Sequence, residues 1–288
     1  MIKRQYKDYI MMKENKLVEV TKPIRLELLE DKFILPPQIQ AKVDAFWEGL
    51  VREKPYYRRG EAFTIANICE KKDVIEVKLA LTDYAHYIYT RAVGLPKELA
   101  FNNLHTSCAI ETADGVLIFG LTGENTAKIG IVQCVGGGLD RDDVRGNEID
   151  LEHNIKKELQ EEVGIDANDE KAASSLKLSY LKYTFNEKFS SIAAIFYLKL
   201  NLSEKEFLAQ YEEFEKELRE KGQVPELQKI ICLPKKEEVM RDFLRNHKSD
   251  SLDLYMEALL EKLISEDNGE NPNITDNKSE FKSFSRLA

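Results

Sequence analysis

Apolar positions repeat at two different periods along this chain. In residues 75–81 every second side chain is apolar, which predicts a half-buried strand. Six short apolar runs predict further strands, at residues 106–111, 116–121, 129–135, 176–184, 190–200 and 227–233. Apolar residues spaced three to four apart predict helices at residues 38–52 and 203–221, and one or two helices at residues 237–264. This order of elements predicts an α/β (α+β) fold with a mixed sheet.

The same patterns divide the chain into four segments. Residues 1–100 are expected to form an N-terminal α/β extension, and residues 101–235 a separate candidate catalytic domain. Residues 236–264 are expected to be a C-terminal helical segment. From residue 265 the composition turns to Asp, Asn, Glu, Gly, Pro and Ser, which bury little surface, so residues 265–288 are expected to be a disordered tail.

The segment with the clearest chemical content is an acidic helix at residues 151–163. Glu158, Glu161 and Glu162 lie at i, i+3 and i+4 and therefore share one helix face. A second face is apolar at intervals of four, through Leu151, Ile155, Leu159 and Val163. Asn147 or Asp150 can cap the start of this helix and Gly164 its end.

Taken alone, three glutamates on a helix describe a solvated surface. A glycine run, Gly136-Gly137-Gly138, lies about twenty residues upstream and follows an apolar run. The order strand, glycine turn, acidic helix, glycine stop is suited to holding a divalent cation and a phosphate, because hard oxygen ligands are those that Mg²⁺ prefers. We therefore expect the three carboxylates to converge near Gly137.

At these residues the chain resembles the Nudix hydrolase family. The family signature is Gly, five residues, Glu, seven residues, Arg-Glu-apolar-x-Glu-Glu-x-Gly-apolar. Its second half matches residues 157–165 with one substitution, Lys157 in place of Arg. Counting back from Lys157, the first Glu of the signature falls on Ile149, and the loop after Gly137 is about six residues longer than in the family. We expect Lys157 to pair with Glu148 or Asp150 instead, without the bidentate fork of an arginine.

The resemblance implies a Nudix-like α/β/α sandwich of a mixed sheet between helices, with the N-terminal extension and the C-terminal helices added. It also implies hydrolysis of a nucleoside diphosphate linked to another group, such as a nucleotide sugar or a dinucleotide, with Mg²⁺ or Mn²⁺. The implied metal ligands are Glu158, Glu161, Glu162 and Gly137, and Glu161 and Glu162 are the implied catalytic residues. Gly136 and Gly137 can approach the phosphates because no Cβ stands in the way.

Two further groups of residues are candidates for the site. Family members often draw an additional carboxylate from a loop, and Glu226, Glu220 and Glu187 are the candidates here, each of which can equally be an exposed loop residue. The aromatic residues Tyr84, Tyr87 and Tyr89, and Phe185 in a predicted hairpin turn, can contact a base or sugar or simply pack between segments. His105 and His153 have no partner at the spacing of metal ligands or of a catalytic triad.

Composition excludes several classes of function. The net charge is −9, from 42 Lys and Arg against 51 Asp and Glu, which argues against a nucleic-acid surface. The four cysteines form no CxxC pair, so neither a zinc site nor a disulfide framework is indicated. No apolar run has the length of a membrane span and the first residues lack the apolar core of a signal peptide, so we expect a cytoplasmic protein with no membrane partner.

Two hypotheses of different classes follow. The first is a metal-dependent pyrophosphohydrolase that acts on a small nucleotide-type molecule. The second is a non-catalytic Nudix-like domain that binds a nucleotide or metabolite as a sensor, which the divergent first half of the signature favours and the intact Glu-x-x-Glu-Glu opposes. The sequence neither supports nor excludes a homodimer or an oligomeric scaffold.

Overall fold

The computed structural model describes residues 15–55, 57–124, 126, 129–186, 189–247 and 249–267. Its strands are β1 Lys16–Glu19, β2 Ile24–Leu28, β3 Glu61–Glu70, β4 Ile75–Asp83, β5 Asn103–Glu111, β6 Val116–Thr122, β7 Val132–Gln133, β8 Val144–Arg145, β9 Glu148–Ile149, β10 Ala173–Phe185, β11 Ser190–Leu200 and β12 Leu227–Pro234. Its α-helices are α1 Pro37–Glu53, α2 Tyr84–Ala92, α3 Leu151–Val163, α4 Glu204–Glu220, α5 Glu237–Asn246 and α6 Met256–Asp267.

The larger sheet has seven strands and carries the glycine loop. Its order is β1-β10-β11-β5-β6-β12, with β7 paired to β6. The β11–β5 pair is parallel and the other pairs are antiparallel. Strands β5 and β11 lie at its centre and pair with each other along the whole of β5.

Strict alternation along β11 separates the two faces of this sheet. Ile192, Ala194 and Phe196 belong to the core that contains the buried residues of α3 and α4. Ala193 and Ile195 belong to a second core, shared with α5 and α6. Because side chains of a strand point alternately to opposite faces, helices cover both sides of the sheet. The structure thus confirms the predicted mixed-sheet α/β/α sandwich.

The smaller sheet has five strands in the order β3-β4-β2-β9-β8. Its buried residues, among them Phe63, Ile65 and Leu79, share the core of α3. Helices α1 and α2 pack against each other around Trp47 and Tyr89 in a third apolar cluster. The strands cross the expected division near residue 100, since β1 pairs with β10 and β2 pairs with β9.

Most predicted elements are present with shifted ends. Helices α1 and α4 match their predicted segments, and β4, β5, β6, β10, β11 and β12 match theirs. The predicted strand at residues 129–135 is reduced to β7 and isolated bridges, one of which joins Cys108 and Val135. One or two helices were predicted at residues 237–264, and two are present, α5 and α6; α6 continues to Asp267, beyond residue 264 where helix was expected to end. Residues 268–288 of the expected tail lie outside the described residues.

One helix and several strands of the structure were not predicted from the sequence. Helix α2 occupies the aromatic segment beginning at Tyr84, where no helix was predicted. Strands β1, β2 and β3, and the short β8 and β9, were also not predicted. Among the described residues, no helix combines the length and the apolarity that crossing a membrane requires.

Candidate functional site

Helix α3 is fixed at both ends by its own sequence. The Asp150 side chain caps its start by accepting a hydrogen bond from the backbone N–H of His153 (3.0 Å). Gly164 ends it with a φ of 70°, and a Cβ at this glycine would collide with the ring of Phe214 on α4. The predicted apolar stripe is buried, from Leu151 to Val163. This burial turns the acidic face of α3 towards the glycine loop.

Two of the three predicted carboxylates contact the glycine loop. The Glu158 carboxylate lies so close to Gly137 that a Cβ there would stand 2.5 Å from Oε1. Glu162 is buried, and its Oε1 accepts a long hydrogen bond from the N–H of Gly136 (3.4 Å). Its Oε2 is also buried and has no hydrogen-bond partner among the described residues. An unsatisfied buried carboxylate oxygen is costly, so this atom calls for a proton or a cation.

The carboxylates around the loop influence one another strongly. Burial and the neighbouring charge of Glu161 raise the pKa of Glu158 to about 8. Burial and the charges of Glu226 and Glu158 raise the pKa of Glu162 well above its usual value. Burial and the charge of Glu161 also raise the pKa of Glu226. Four carboxylates from two parts of the chain therefore form one electrostatically coupled cluster.

The expected convergence of the carboxylates on one point is not present. Among the residues that the structure describes, no group of three or more His, Cys, Asp or Glu side chains is arranged to hold a metal ion. The donor set nevertheless fits a hard divalent cation, because it consists of carboxylates whose mutual repulsion a cation would relieve and includes the orphaned Oε2 of Glu162. Gly137 O already accepts the N–H of Thr106 (3.0 Å), so its place among the ligands stays a prediction.

The support of Lys157 differs from the prediction. Its ammonium pairs with Asp140 (2.7 Å) and with the fully buried Asp143 (3.3 Å). Neither expected partner is used, because Glu148 pairs with Arg25 on the smaller sheet and Asp150 caps α3. Burial opposes the charge of Lys157, but the hydrogen bond to Asp140 and the charge of Asp143 outweigh it and raise its pKa.

Asp143 also corrects the alignment of the first half of the signature. Five residues separate Gly137 from Asp143, which is the spacing that the signature requires between its Gly and its first acidic residue. Thirteen residues then separate Asp143 from Lys157, where the signature has seven. The six additional residues are 144–149, which form the β8–β9 hairpin and pair with β2. The insertion therefore follows the acidic position, and Ile149 is a buried hairpin residue.

Asn154 joins the glycine loop, the acidic turn and the central sheet. Its Nδ2 donates to the carbonyl of Gly138 (3.1 Å) and to Oδ2 of Asp143 (2.9 Å). Its Oδ1 accepts the hydroxyl of Thr106 on β5. Asn154 is fully buried, so these bonds fix α3 and the loop relative to each other.

A cavity of about 310 Å³ opens beside the glycine loop. The loop residues Gly136, Gly137 and Gly138 form one part of its wall. Aromatic side chains of α2 and the following segment form another part, namely Tyr84, Tyr87 and Phe101. Glu226 also lines it, with its backbone carbonyl bonded to the N–H of Gly123 (3.0 Å) at the end of β6. Of the four clustered carboxylates, only Glu226 lines the cavity, so a ligand bound there would be bounded by the aromatic side chains, the glycine loop and Glu226.

The structure brings together some of the predicted substrate residues and separates others. Gly136, Gly137, Tyr87 and Glu226 all line the cavity. Tyr89 does not, because it is buried against Phe46 in the α1–α2 cluster.

The remaining candidates lie elsewhere. Phe185 is also absent from the cavity lining, and the ammonium of Lys97 lies 3.7 Å from its ring centroid. Glu220 is exposed at the end of α4. Glu187 lies outside the described residues.

Sequence patterns did not single out several residues of the cavity wall. Arg91 comes from the last turn of α2, and Asp253 and Tyr255 from the segment before α6. His105, judged from its spacing to have no partner, lines the cavity and forms a bridge with Gly138. Only the position of Arg91 beside the aromatic cluster gave a signal in the sequence.

No family model and no curated protein matches this chain. Solved structures that it resembles include a MutT protein from Methanosarcina mazei Go1 (14% identity, TM-score 0.37, covering 58% of this chain and 95% of that one). A Nudix hydrolase from Nitrosomonas europaea is 10% identical (TM-score 0.34, 58% and 89% covered). A mutant form of the Bacillus subtilis pyrophosphohydrolase BsRppH is 11% identical (TM-score 0.33, 58% and 83% covered). At such low TM-scores these likenesses carry no argument about activity, which depends on the site itself.

Proposed function

We propose that the chain is a divalent-metal-dependent pyrophosphohydrolase of the Nudix type, which cleaves the diphosphate of a nucleoside diphosphate linked to another group. The observation that carries the proposal is the carboxylate cluster of Glu158, Glu161, Glu162 and Glu226 around a glycine loop that borders a cavity. Clustered carboxylates with raised pKa values repel one another and destabilise a protein when ionised. Such clusters are therefore typical of sites where a cation binds or where the carboxyl groups take part in a reaction. The second half of the family signature lies on the same helix.

Each residue has a defined role in this proposal. Glu158, Glu161 and Glu162 hold the cation, and the glycine backbone lets the diphosphate approach them. Bound Mg²⁺ or Mn²⁺ would supply positive charge that stabilises the negative phosphoryl oxygens. Lys157, Asp143 and Asn154 act through the helix and loop, because they hold α3 against Gly138.

Glu226 is the proposed proton acceptor of the hydrolysis. It lines the cavity from outside α3, and its raised pKa brings it closer to neutrality, where a general base is most effective. The oxygen of a water molecule forms a bond to one phosphorus, and the bridging P–O bond breaks. The water proton passes to Glu226, and the products are two phosphate monoesters.

The test is a turnover assay on nucleotide sugars, dinucleotides and nucleoside triphosphates with Mg²⁺ or Mn²⁺. We expect Glu161→Gln combined with Glu162→Gln to lower kcat/KM by at least about 100-fold. The double variant loses two proposed metal ligands, and the proton transfer from water is weakened as well. Glu152→Gln is the matched control. Glu152 lies on the same helix but pairs with Lys156 (2.6 Å) away from the loop, and its loss should leave kcat/KM unchanged.

Tight binding of such a compound without turnover under any metal would contradict the hydrolase. That result would instead favour the non-catalytic sensor. The sensor is the second candidate because no group of three or more metal-ligating side chains is arranged to hold a metal ion among the described residues. Equal losses in the Glu152 control and the double variant would show a general effect of charge on α3 and would also count against the assignment.

A further inference from the structure

Arg91 is a cation in the cavity wall whose planar group is held by aromatic rings. Its guanidinium carbon lies 4.2 Å from the ring centroid of Phe189 and 6.0 Å from that of Tyr87. Phe189 is buried, so this contact holds the guanidinium beside a fixed ring. The contact with the ring uses none of the N–H donors, which remain available for a planar or tetrahedral anion.

No carboxylate among the described residues pairs with Arg91. Glu61 also lines the cavity, but it is engaged by Arg141 through two hydrogen bonds of 2.8 Å. Glu226 lies in another part of the wall. An anionic group of a ligand is therefore attracted to Arg91 and repelled by that carboxylate.

The aromatic side chains and the glycine loop meet β5 at different positions. Arg91 contacts Tyr87, and Tyr87 contacts Phe101, which lies just before β5. The glycine loop bonds to Thr106, three residues after the first residue of β5. At the rise of a strand the first residue of β5 and Thr106 are roughly 10 Å apart, which is comparable to the length of a nucleoside or a sugar.

We infer that Arg91 is a specificity-determining residue that binds an anionic group, a phosphate or a carboxylate, on the part of the substrate remote from the diphosphate. The inference rests on the proposed hydrolase and narrows its substrate class. The preferred compounds carry a further negative charge beyond the diphosphate, next to a ring that the aromatic wall can contact.

Arg52 is a matched control for the possibility that Arg91 only stabilises its own helix. Arg91 lies in the last turn of α2, where a cation stabilises the negative end of the helix dipole. Arg52 occupies the same place in α1 and bonds to the carbonyl of Glu48 (3.1 Å), away from the cavity. If Arg91 only stabilises its helix, replacing either arginine should have the same kind of effect.

The test uses two pairs of compounds that differ in a single anionic group. UDP-glucuronate and UDP-glucose differ by a carboxylate, and NADP⁺ and NAD⁺ differ by a phosphate. We expect kcat/KM to favour the anionic member of at least one pair by about 10-fold or more, the usual effect of a charge-assisted hydrogen bond. Arg91→Gln should reduce that preference to about two-fold and Arg91→Lys should retain part of it, whereas Arg52→Gln should leave it unchanged. The pair that responds identifies the group as carboxylate or phosphate.

Dissociation constants of the same four compounds, measured by calorimetry on wild type, on Arg91→Gln and on the Glu161→Gln, Glu162→Gln variant, separate this inference from the hydrolase proposal. Discrimination in Kd that needs Arg91, without turnover, supports the anion site and overturns the hydrolase. Turnover with no preference in either pair, or a preference that survives Arg91→Gln, overturns the anion site and leaves the hydrolase standing. Neither binding nor turnover of any of the four overturns both.

Discussion

Gly137 and Gly138 are neighbours in sequence, yet their surroundings differ sharply. A Cβ at Gly137 would lie 2.5 Å from the Glu158 carboxylate, whereas a Cβ at Gly138 would have no heavy atom within 4 Å. Neither glycine has a positive φ, so alanine is compatible with the backbone at both positions. The two positions therefore separate the effect of space beside the carboxylate from the effect of loop flexibility.

Gly137→Ala should lower kcat/KM by about 10-fold or more, because the added methyl group displaces Glu158 from the loop. Gly138→Ala should retain activity to within about two-fold, since its methyl group meets open space. Steady-state kinetics on both variants, with thermal unfolding as a check of folding, measures the difference. Equal activities would mean that the contact between Gly137 and Glu158 has no catalytic consequence.

The functional and capping residues of α3 could be predicted from the sequence, but the residues that pair with Lys157 were not. The three glutamates and the caps Asp150 and Gly164 follow from helical spacing and local hydrogen bonding. The partner of Lys157 was wrongly predicted because counting back from Lys157 placed the six additional residues before the acidic position instead of after it. Counting forward from Gly137 leads to Asp143, and the structure shows that residues 144–149 form a hairpin and that Lys157 pairs with Asp143.

At the scale of elements, three separate segments depend on one buried amide. Asn154 on α3 bonds to Gly138 of the loop, to Asp143 of the acidic turn and to Thr106 of β5. Because these three bonds are buried or part-buried, water does not replace a lost bond readily. The position of the acidic face relative to the loop therefore depends on this side chain.

Asn154→Ala should destabilise the protein by about 1–3 kcal/mol, since it leaves buried polar groups unsatisfied. It should also lower kcat, because the glycine loop is no longer fixed to α3. Asn168→Ala is a suitable control, since Asn168 is exposed and bonds to Asp166 in a surface turn. Urea unfolding and initial rates measure the two effects, and an Asn154 variant as stable and active as wild type would rule out the positioning role.

Helices and strands were predicted from the sequence where they are long and have one clear apolar face. Helix α4, with its Ser203 cap and long apolar stripe, carries enough local signal to be identified. Helix α2 has only nine residues, and its aromatic side chains face both the cavity and the α1 cluster, so no single stripe is visible. Strands β1 and β2 are four and five residues long and acquire their partners from distant parts of the chain.

At the scale of the whole molecule, the cavity is a product of topology. Its wall combines residues of β3, α2, β5, the glycine loop, β11 and the segment before α6. The ends of the described chain also meet, because Lys262 of α6 pairs with Glu19 of β1. Such long-range juxtapositions leave no periodic signal in the sequence, which explains why Arg91 and Tyr255 were not predicted as site residues.

The raised pKa of the Glu158 carboxyl links metal binding to proton release. The pKa of Glu158 is raised to about 8 by burial and by Glu161, so this carboxyl is mostly protonated at pH 7 in the metal-free protein. A cation binds the ionised form, so binding must release protons and its affinity must rise with pH. The affinity should therefore rise with pH up to about 8, and above that the dependence should level off.

Calorimetric titration with Mg²⁺ is the most direct measurement of the central claim, that the α3 carboxylates form a divalent-cation site. In two buffers of different ionisation enthalpy at pH 7, we expect saturable binding to wild type that releases about one proton per ion or more, with affinity increasing from pH 6 to pH 8. Glu158→Gln combined with Glu162→Gln should abolish the binding, and Glu152→Gln should preserve it. Absence of saturable binding to wild type at pH 8, or binding that persists in the double variant without proton release, would contradict the account.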